Sequence, residues 1–179
     1  MQIEAISSPE AGPGRGSQRA GKYLVFHLGR EHFGIRVVNV REIMGILDIT
    51  AVPHTPTYIK GVFNLRGKVV PVIDLRLRFK MPEMEYGPRT CIIVVSLEIK
   101  DESVPMGLIV DGVAEVVNIA ESDIEAPPDF GKDLDTSYLL GIAKIRGEVR
   151  LLLDIDRALK LESCEGLLQM GLNESSATM

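Results

Sequence analysis

One internal repeat constrains the fold of this chain more than any other feature. Residues 58–79 and 138–159 match at a constant spacing of 80 residues, and two earlier segments, 33–43 and 106–116, match at a spacing of 73 residues. Each copy is too short to bury a large sheet, but it suits a small closed barrel of about five strands, because closure removes exposed sheet edges. The repeat therefore predicts a mostly β protein built from two similar barrels. The matched positions include Tyr58/Tyr138, Gly61/Gly141, Arg66/Arg146, Gly67/Gly147, Asp74/Asp154, Gly34/Gly107, Val40/Val113 and Glu42/Glu115.

Short runs rich in β-branched and aromatic residues fill most of the chain between residues 22 and 119. KYLVFHL (22–28) has the alternation of a strand, and HFGIRV (32–37) places its apolar residues on one face. Helix is minor: in residues 154–170 the apolar positions fall near helical spacing. This pattern predicts a short C-terminal helix packed on a barrel.

The same patterns set the expected domain boundaries. Residues 1–21 and 171–179 lack periodicity and contain many helix and strand breakers, so we expect a flexible tail at each end of a domain that spans 22–170. The expected parts of that domain are a first barrel at 33–80, a second barrel at 90–153, and the strand 22–28, which packs across them together with the C-terminal segment.

The charge distribution argues against general affinity for nucleic acid or membranes. The net charge is −5, with six cations and one acid in residues 58–80 and eleven acids in residues 98–135. A β-barrel that binds nucleic acid through the basic stretch is a distant alternative, because aromatic residues make up only 5% of the chain. No apolar run is long enough to span a bilayer, and the N-terminus has no secretory signal pattern. We expect a cytoplasmic protein.

Residues that could carry catalysis or bind metal are dispersed. His27 and His32 flank an expected hairpin, but no cysteine or second histidine pair completes a metal-ligand set. Cys91 lies in an apolar run, which is typical of a buried small hydrophobe rather than a nucleophile. No set of side chains for acid/base or nucleophilic chemistry is evident. The sequence therefore predicts a protein without catalytic residues, metal or cofactor.

Two arginines stand beside glycines at the tips of the repeated hairpins. Gly67 and Gly147 are explained by turns that need a positive φ, but the turns do not explain Arg66 and Arg146. A guanidinium at this position can lock its own barrel or face a partner, and the residues favour neither role for Arg66. The two repeated aspartates, at 74 and 154, are either partners of these arginines or N-caps of the short helices that follow.

The segment IKGVFNLRGKVVPVIDLRLRF (59–79) closely resembles the signature of CheW-like proteins, the adaptors of bacterial chemotaxis arrays. The resemblance extends over nearly all of residues 22–162 and includes MGLIVDGVAEV in the second half, where KIRG replaces NLRG. It implies two SH3-like five-stranded barrels about a pseudo-two-fold axis. It also implies a non-enzymatic adaptor that links methyl-accepting chemoreceptors to the regulatory domain of a CheA-type histidine kinase, and that reaches membrane receptor arrays only through those receptors. An adaptor of a chemosensory-like pathway that governs pili or gene expression is the alternative.

The resemblance also assigns roles to positions. It implies that the cytoplasmic tip of the receptor meets Val40, Glu42, Gly61 and Arg66. It implies that the kinase meets the strand around Gly107, Leu108 and Val110, whose apolar character a β-strand core explains equally well. Arg66 would anchor a receptor carboxylate or helix-end carbonyls, or hold the groove wall by pairing with Glu42. Arg146 is expected to be structural.

Overall fold

The computed structural model describes residues 19–129 and 136–159, and these residues form mainly short strands. None of the described helices is long and apolar enough to cross a membrane. The elements are β1 (Gly21–Leu28), β2 (Glu31–Arg36), β3 (Val40–Gly45), β4 (Ile59–Leu65), β5 (Lys68–Asp74), α1 (Leu75–Arg78), β6 (Cys91–Ile99), β7 (Glu102–Val110), β8 (Gly112–Ile119), β9 (Ile124–Glu125), β10 (Leu139–Ile145), β11 (Glu148–Leu153) and α2 (Ile155–Ala158).

The strands form two sheets, which confirms the prediction of a mostly β protein with two small barrels. One sheet has the order β3-β6-β7-β5-β4 and forms the first barrel. The other has the order β8-β1-β2-β11-β10-β9 and forms the second barrel. Within each sheet one strand pair is parallel, β5 with β7 and β2 with β11, and the other pairs are antiparallel.

The two repeats exchange a hairpin, so the barrels do not follow the expected boundaries 33–80 and 90–153. The β1–β2 hairpin of the first repeat lies in the second barrel, and the β6–β7 hairpin of the second repeat lies between β3 and β5 in the first barrel. The parallel contacts obey the repeat: Val72 pairs with Gly107, and the equivalent Leu152 pairs with Gly34. Strand 22–28 is therefore an inner strand of the second barrel rather than a strap across both.

Three apolar clusters fill the interior of the part of the chain that the structure describes. One cluster lies inside the first barrel and includes Phe63 and Val70, and another lies inside the second and includes Tyr23 and Leu152. The largest cluster takes residues from both sheets and joins the barrels. Along β6 the side chains alternate between the first-barrel cluster and the joint cluster, because successive residues of a strand face opposite sides. Both faces of this strand are therefore buried.

Each barrel ends in a one-turn helix capped by the repeated aspartate. Oδ1 of Asp74 accepts hydrogen bonds from the backbone N–H groups of Arg76 (2.9 Å) and Leu77 (3.3 Å). Oδ1 of Asp154 accepts one from the backbone N–H of Arg157 (3.2 Å). The aspartates are thus N-caps, as one of the two alternatives predicted. The short C-terminal helix is present as α2, while the rest of 154–170 and both expected tails lie mostly or wholly outside the described residues.

Candidate functional site at the seam of the first barrel

The first barrel is closed at a seam between its two edge strands, β3 and β4, and the turn that follows β4. We define the seam by the residues that join the edges across it: Glu42, Thr50, Gly61, Val62 and Arg66. An isolated bridge pairs Thr50 with Val62, with N–H···O distances of 2.8 and 2.9 Å. At the other end of the seam the Arg66 guanidinium donates to the Glu42 carboxylate, from Nη1 to Oε1 (2.7 Å) and from Nη2 to Oε2 (3.2 Å). Three of the four residues assigned to the receptor, Glu42, Gly61 and Arg66, therefore lie at this seam, and Gly61 is buried there.

Gly61 is where the two edges come closest. Its φ is +137°, and a Cβ built on it would lie 2.0 Å from the carbonyl oxygen of Thr50. A side chain of any size would push the Thr50–Val62 bridge apart. Gly61 therefore acts through backbone approach at the seam rather than through a side-chain contact.

Arg66 occupies the first position of a two-residue turn between β4 and β5. Its φ is +53° and that of Gly67 is +87°, a pair of positive values that defines a type I′ hairpin turn. Oδ1 of Asn64 accepts a hydrogen bond from the backbone N–H of Gly67 (2.8 Å) and supports the turn. The sequence indicated a left-handed glycine here, but the structure shows that the arginine is left-handed as well.

The Arg66–Glu42 pair is exposed on the arginine side. The Arg66 side chain is 73% exposed and that of Glu42 is 29% exposed. The side-chain hydrogen bond from Arg66 holds the pKa of Glu42 below its usual value, and the same bond raises the pKa of Arg66. The internal pairing predicted as one alternative is therefore present, and the Arg66 side chain as a whole stays largely exposed.

Val40 begins β3 on the opposite face from Glu42. It pairs with Val95 and packs on the joint cluster between the barrels. A register shift between Val40 and Glu42 allows Val40 to face this cluster while Glu42 faces the seam. Val40 is half-buried, so its surface is smaller than that of Arg66.

Exposed apolar side chains follow Glu42 along the chain. Ile43, Ile46 and Leu47 are 45%, 37% and 44% exposed, respectively, at the end of β3 and in the loop after it. None of these three residues is among those predicted from sequence to meet a partner. The run IMGIL just after Glu42 was the available signal, but a strand core explains such a run equally well.

The residues assigned to the kinase are all buried. Gly107, Leu108 and Val110 lie on β7, an inner strand of the first barrel, and the two larger side chains belong to the joint cluster. A Cβ at Gly107 would lie 2.9 Å from Cγ2 of Ile92. In this packing the side chains of Leu108 and Val110 therefore present no surface to a partner protein.

The hairpin turn of the second barrel repeats the backbone conformation of the turn in the first barrel, but its side-chain contacts differ. Arg146 has the same φ, +53°, but it forms no side-chain hydrogen bond or ion pair within the described residues. Glu115 is the equivalent of Glu42, and its Oε2 lies 4.0 Å from Nη2 of Arg150. The same Nη2 donates a hydrogen bond to Oε2 of Glu148 at 2.8 Å. Arg150 occupies the position of Val70 and is buried. The arginine-glutamate fork across the seam is thus a feature of the first barrel.

Among the described residues no group of three or more histidine, cysteine or acidic side chains could hold a metal ion. His27 and His32 face each other across the β1–β2 pair with ring centroids 6.1 Å apart. Cys91 is a free thiol whose pKa is raised by burial.

Comparison with known proteins gives the family. The family model described as CheW-like domain matches residues 22–163. The chain is 37% identical to the chemotaxis protein CheW of Klebsiella aerogenes over 141 residues, which cover 79% of this chain and 82% of the relative. It is 36% identical to the chemotaxis protein CheW of Bacillus subtilis over 145 residues, covering 80% and 90% of the two chains. It is also 32% identical to protein FrzA of Myxococcus xanthus over 126 residues, covering 70% and 76%.

The fold matches a solved member of the same group. The crystal structure of the scaffolding protein TtCheW from Thermoanaerobacter tengcongensis superposes with a TM-score of 0.70 at 35% identity, covering 80% of this chain and 95% of that one. The sequence resemblance and the predicted non-enzymatic adaptor class are both confirmed by these matches. The chain belongs to the CheW-like family of chemotaxis scaffolding proteins.

Proposed function

We propose that this adaptor couples methyl-accepting chemoreceptors to a CheA-type histidine kinase, and that the seam of the first barrel meets the receptor's cytoplasmic tip. The observation that carries the proposal is the Arg66–Glu42 fork, because its two hydrogen bonds orient a largely exposed arginine side chain at a barrel surface. Such a fork can bind a carboxylate or the last carbonyls of a helix.

The exposed apolar residues after Glu42 support a helical partner. An amphipathic helix docks by placing a few apolar side chains on a hydrophobic surface, with polar contacts at the rim. Ile43, Ile46 and Leu47 supply the apolar part, and the fork supplies the polar part. No bond is made or broken in this role. The adaptor fixes geometry and raises the local concentration of kinase beside receptor, so that receptor signals shift the kinase between states.

The kinase side of the proposal rests on β7. Gly107, Leu108 and Val110 stay assigned to this side as residues that set the shape of the strand, since their side chains are buried. Recruitment to membrane arrays follows in this proposal from receptor binding alone.

The test compares Arg66→Ala with Arg146→Ala in a receptor pull-down and a kinase-activation assay. Both arginines have the same φ and lie in equivalent turns, so the two variants change the backbone environment equally. We expect Arg66→Ala to lose receptor binding and kinase coupling while its melting temperature stays within a few degrees of the parent, and Arg146→Ala to keep both activities. Equal receptor binding by the two variants would refute the assignment of Arg66.

A second candidate is the same adaptor role in a pathway that governs pili or gene expression. The observation in favour of this second candidate is the similarity to protein FrzA of Myxococcus xanthus, a relative whose name is not chemotaxis protein CheW. A pull-down with each CheA-like kinase of the organism distinguishes the two, because the kinase that binds identifies the output.

A further inference from the structure

A cavity of about 750 Å³ lies away from the seam, beside the β1–β2 turn and the first residues of β6 and β8. Four of its lining side chains carry imidazole or guanidinium groups: His27, Arg30, His32 and Arg89. Among the described residues that line it none is acidic, although the chain as a whole has a net charge of −5. The charge of this lining comes from the two arginines, Arg30 and Arg89, and such a site attracts anions.

The two arginines of this cavity are free to bind a ligand. Arg30 and Arg89 are exposed, and neither forms a hydrogen bond or ion pair within residues 19–129 and 136–159. The nearby carboxylate of Asp111 is already occupied, because its Oδ2 accepts from Arg76 Nη1 and from the backbone N–H of Gly29, each at 2.6 Å. Asp111 therefore does not neutralise the arginines that line the cavity.

The same contacts indicate which chemical class of anion this cavity binds. Phosphate sites commonly use several backbone N–H groups, at a helix N-terminus or in a concave turn. The turn beside this cavity offers the N–H of Gly29, which Asp111 already uses. An arginine fork binds carboxylates as well as phosphates, and without a nest of amides this site lacks the further donors that phosphate sites commonly use. The rest of the lining is small and apolar, formed by Cys91, Val113 and Ala114, so it fits an aliphatic side chain next to a carboxylate.

We propose that this cavity binds an acidic peptide segment of a partner protein, with carboxylates on Arg30 and Arg89 and a small aliphatic side chain over Cys91, Val113 and Ala114. The site lies on the β1–β2 turn, on the residues before and at the start of β6, and on β8, and it shares no residue with the seam. It goes beyond receptor coupling through Arg66. The chain thereby has a second docking point, on a surface where the two barrels meet.

The labelling rate of the Cys91 thiol reports directly whether a peptide occupies the cavity. The chain has two cysteines, so a Cys164→Ser background leaves Cys91 as the single thiol. Its rate of reaction with N-ethylmaleimide, an uncharged reagent, is measured at mildly alkaline pH with and without a ten-residue peptide of alternating glutamate and alanine. We expect the peptide to slow labelling saturably, and a peptide with glutamine in place of glutamate to leave the rate unchanged.

Charge variants locate the binding. Arg30→Glu and Arg89→Glu are each expected to weaken protection by the glutamate peptide by about tenfold, since they reverse a charge at the site. Lys22→Glu is the matched control: it makes the same charge change on an exposed residue at the other end of β1, and we expect less than about a twofold effect.

Three outcomes overturn the proposal. The first is that millimolar glutamate peptide does not slow the labelling of Cys91. The second is that the glutamate peptide protects Cys91 equally in the Lys22→Glu and Arg30→Glu variants. The third is that inorganic phosphate or phosphatidylserine vesicles protect Cys91 as well as the glutamate peptide does. The last would identify a site for a small phosphate or a lipid headgroup. Receptor pull-down by Arg30→Glu should remain normal in every case, so failure here is distinguishable from failure of the proposed coupling function.

Discussion

Arg66 and Arg146 share a backbone conformation but differ in what their side chains contact. Both have a φ of +53° in a two-residue turn before a glycine. Arg66 crosses the seam to Glu42, whereas Glu115, the glutamate equivalent to Glu42, faces Arg150 inside the second barrel. The turn therefore accounts for the glycine at each tip, and the surrounding charges decide what each arginine does.

The acid titration of Glu42 depends on its pairing with Arg66. Arg66→Ala should raise the Glu42 pKa toward the ordinary value of a glutamate, because the side-chain hydrogen bond that lowers it is lost. A carboxyl with a depressed pKa in the folded state adds stability above its unfolded pKa, and this stability disappears as pH falls through the folded pKa. The stability difference between parent and variant should therefore be present at pH 6 and vanish at acid pH below the lowered Glu42 pKa.

The measurement is a carboxyl NMR titration combined with denaturation at several pH values. Glu148 is the internal control, because its pKa is lowered mainly by Arg150 and should not change in Arg66→Ala. An unchanged Glu42 titration would mean that the fork does not persist in solution.

Gly61→Ala should destabilise the protein strongly. The new Cβ would lie 2.0 Å from the Thr50 carbonyl oxygen at a φ of +137°, so overpacking and backbone strain add. We expect a loss of about 2–5 kcal/mol in the free energy of unfolding. Gly45→Ala on β3 is the matched control, since nothing lies within 4 Å of its added Cβ and its φ is not positive. Urea denaturation of both variants checks this, and similar values for the two would contradict it.

The strands β5 and β11 are equivalent in the repeat, but they place different side chains inside their barrels. Val70 of β5 is fully buried in the first barrel, and Arg150 stands at the same place on β11 with its side chain 7% exposed. Nε and Nη1 of Arg150 are buried and have no hydrogen-bond partner in the part of the chain that the structure describes. Burying such donors carries a cost that the ion pair with the exposed Glu148 offsets only in part.

Arg150→Met should therefore leave stability unchanged or raise it by up to about 2 kcal/mol, because an apolar side chain of similar length removes the unpaired donors. Arg157→Met on α2 is the control for loss of an exposed arginine, with an expected effect within about 0.5 kcal/mol. Chemical denaturation of the two variants gives the comparison. A loss above 2 kcal/mol in Arg150→Met would show that the buried charge stabilises the second barrel.

The elements that local chemistry specifies were predictable from sequence. Glycine beside a tight turn, and aspartate before a one-turn helix, each follow from a backbone need that acts within a few residues. The partner of Arg66 was not predictable in this way, because Glu42 lies 24 residues away and meets it only after the barrel closes. Burial of Gly107, Leu108 and Val110 was open for the same reason: an apolar strand pattern does not say whether one face or both are covered.

At the scale of the whole molecule, the repeat predicted two barrels but not the exchange of hairpins between them. The β1–β2 hairpin presents the same alternation whichever barrel it joins, and β6–β7 does likewise. The choice depends on contacts far apart in the chain, such as Val72 with Gly107 and Leu152 with Gly34. A repeat therefore specifies which strands are equivalent without specifying which copy supplies the neighbour.

The exchange makes the two repeats mutually dependent for folding, and this can be tested by cutting the chain between them. A fragment of residues 19–87 has β3, β4 and β5 but lacks the β6–β7 hairpin that lies between β3 and β5. A fragment of residues 88–163 lacks β1 and β2, which lie between β8 and β11. Each fragment alone would leave open sheets with unpaired inner edges, so we expect neither to show a cooperative thermal transition by circular dichroism.

Mixed at equal concentration, the two fragments should recover the β-sheet spectrum and a cooperative transition whose midpoint rises with concentration, because folding now requires association. The control is the full chain with a protease site placed in the loop at residues 87 and 88, which is exposed and should remain folded after cleavage. If either fragment alone unfolds cooperatively, that repeat closes a barrel without its partner's hairpin, and the exchange is not what holds the two barrels together.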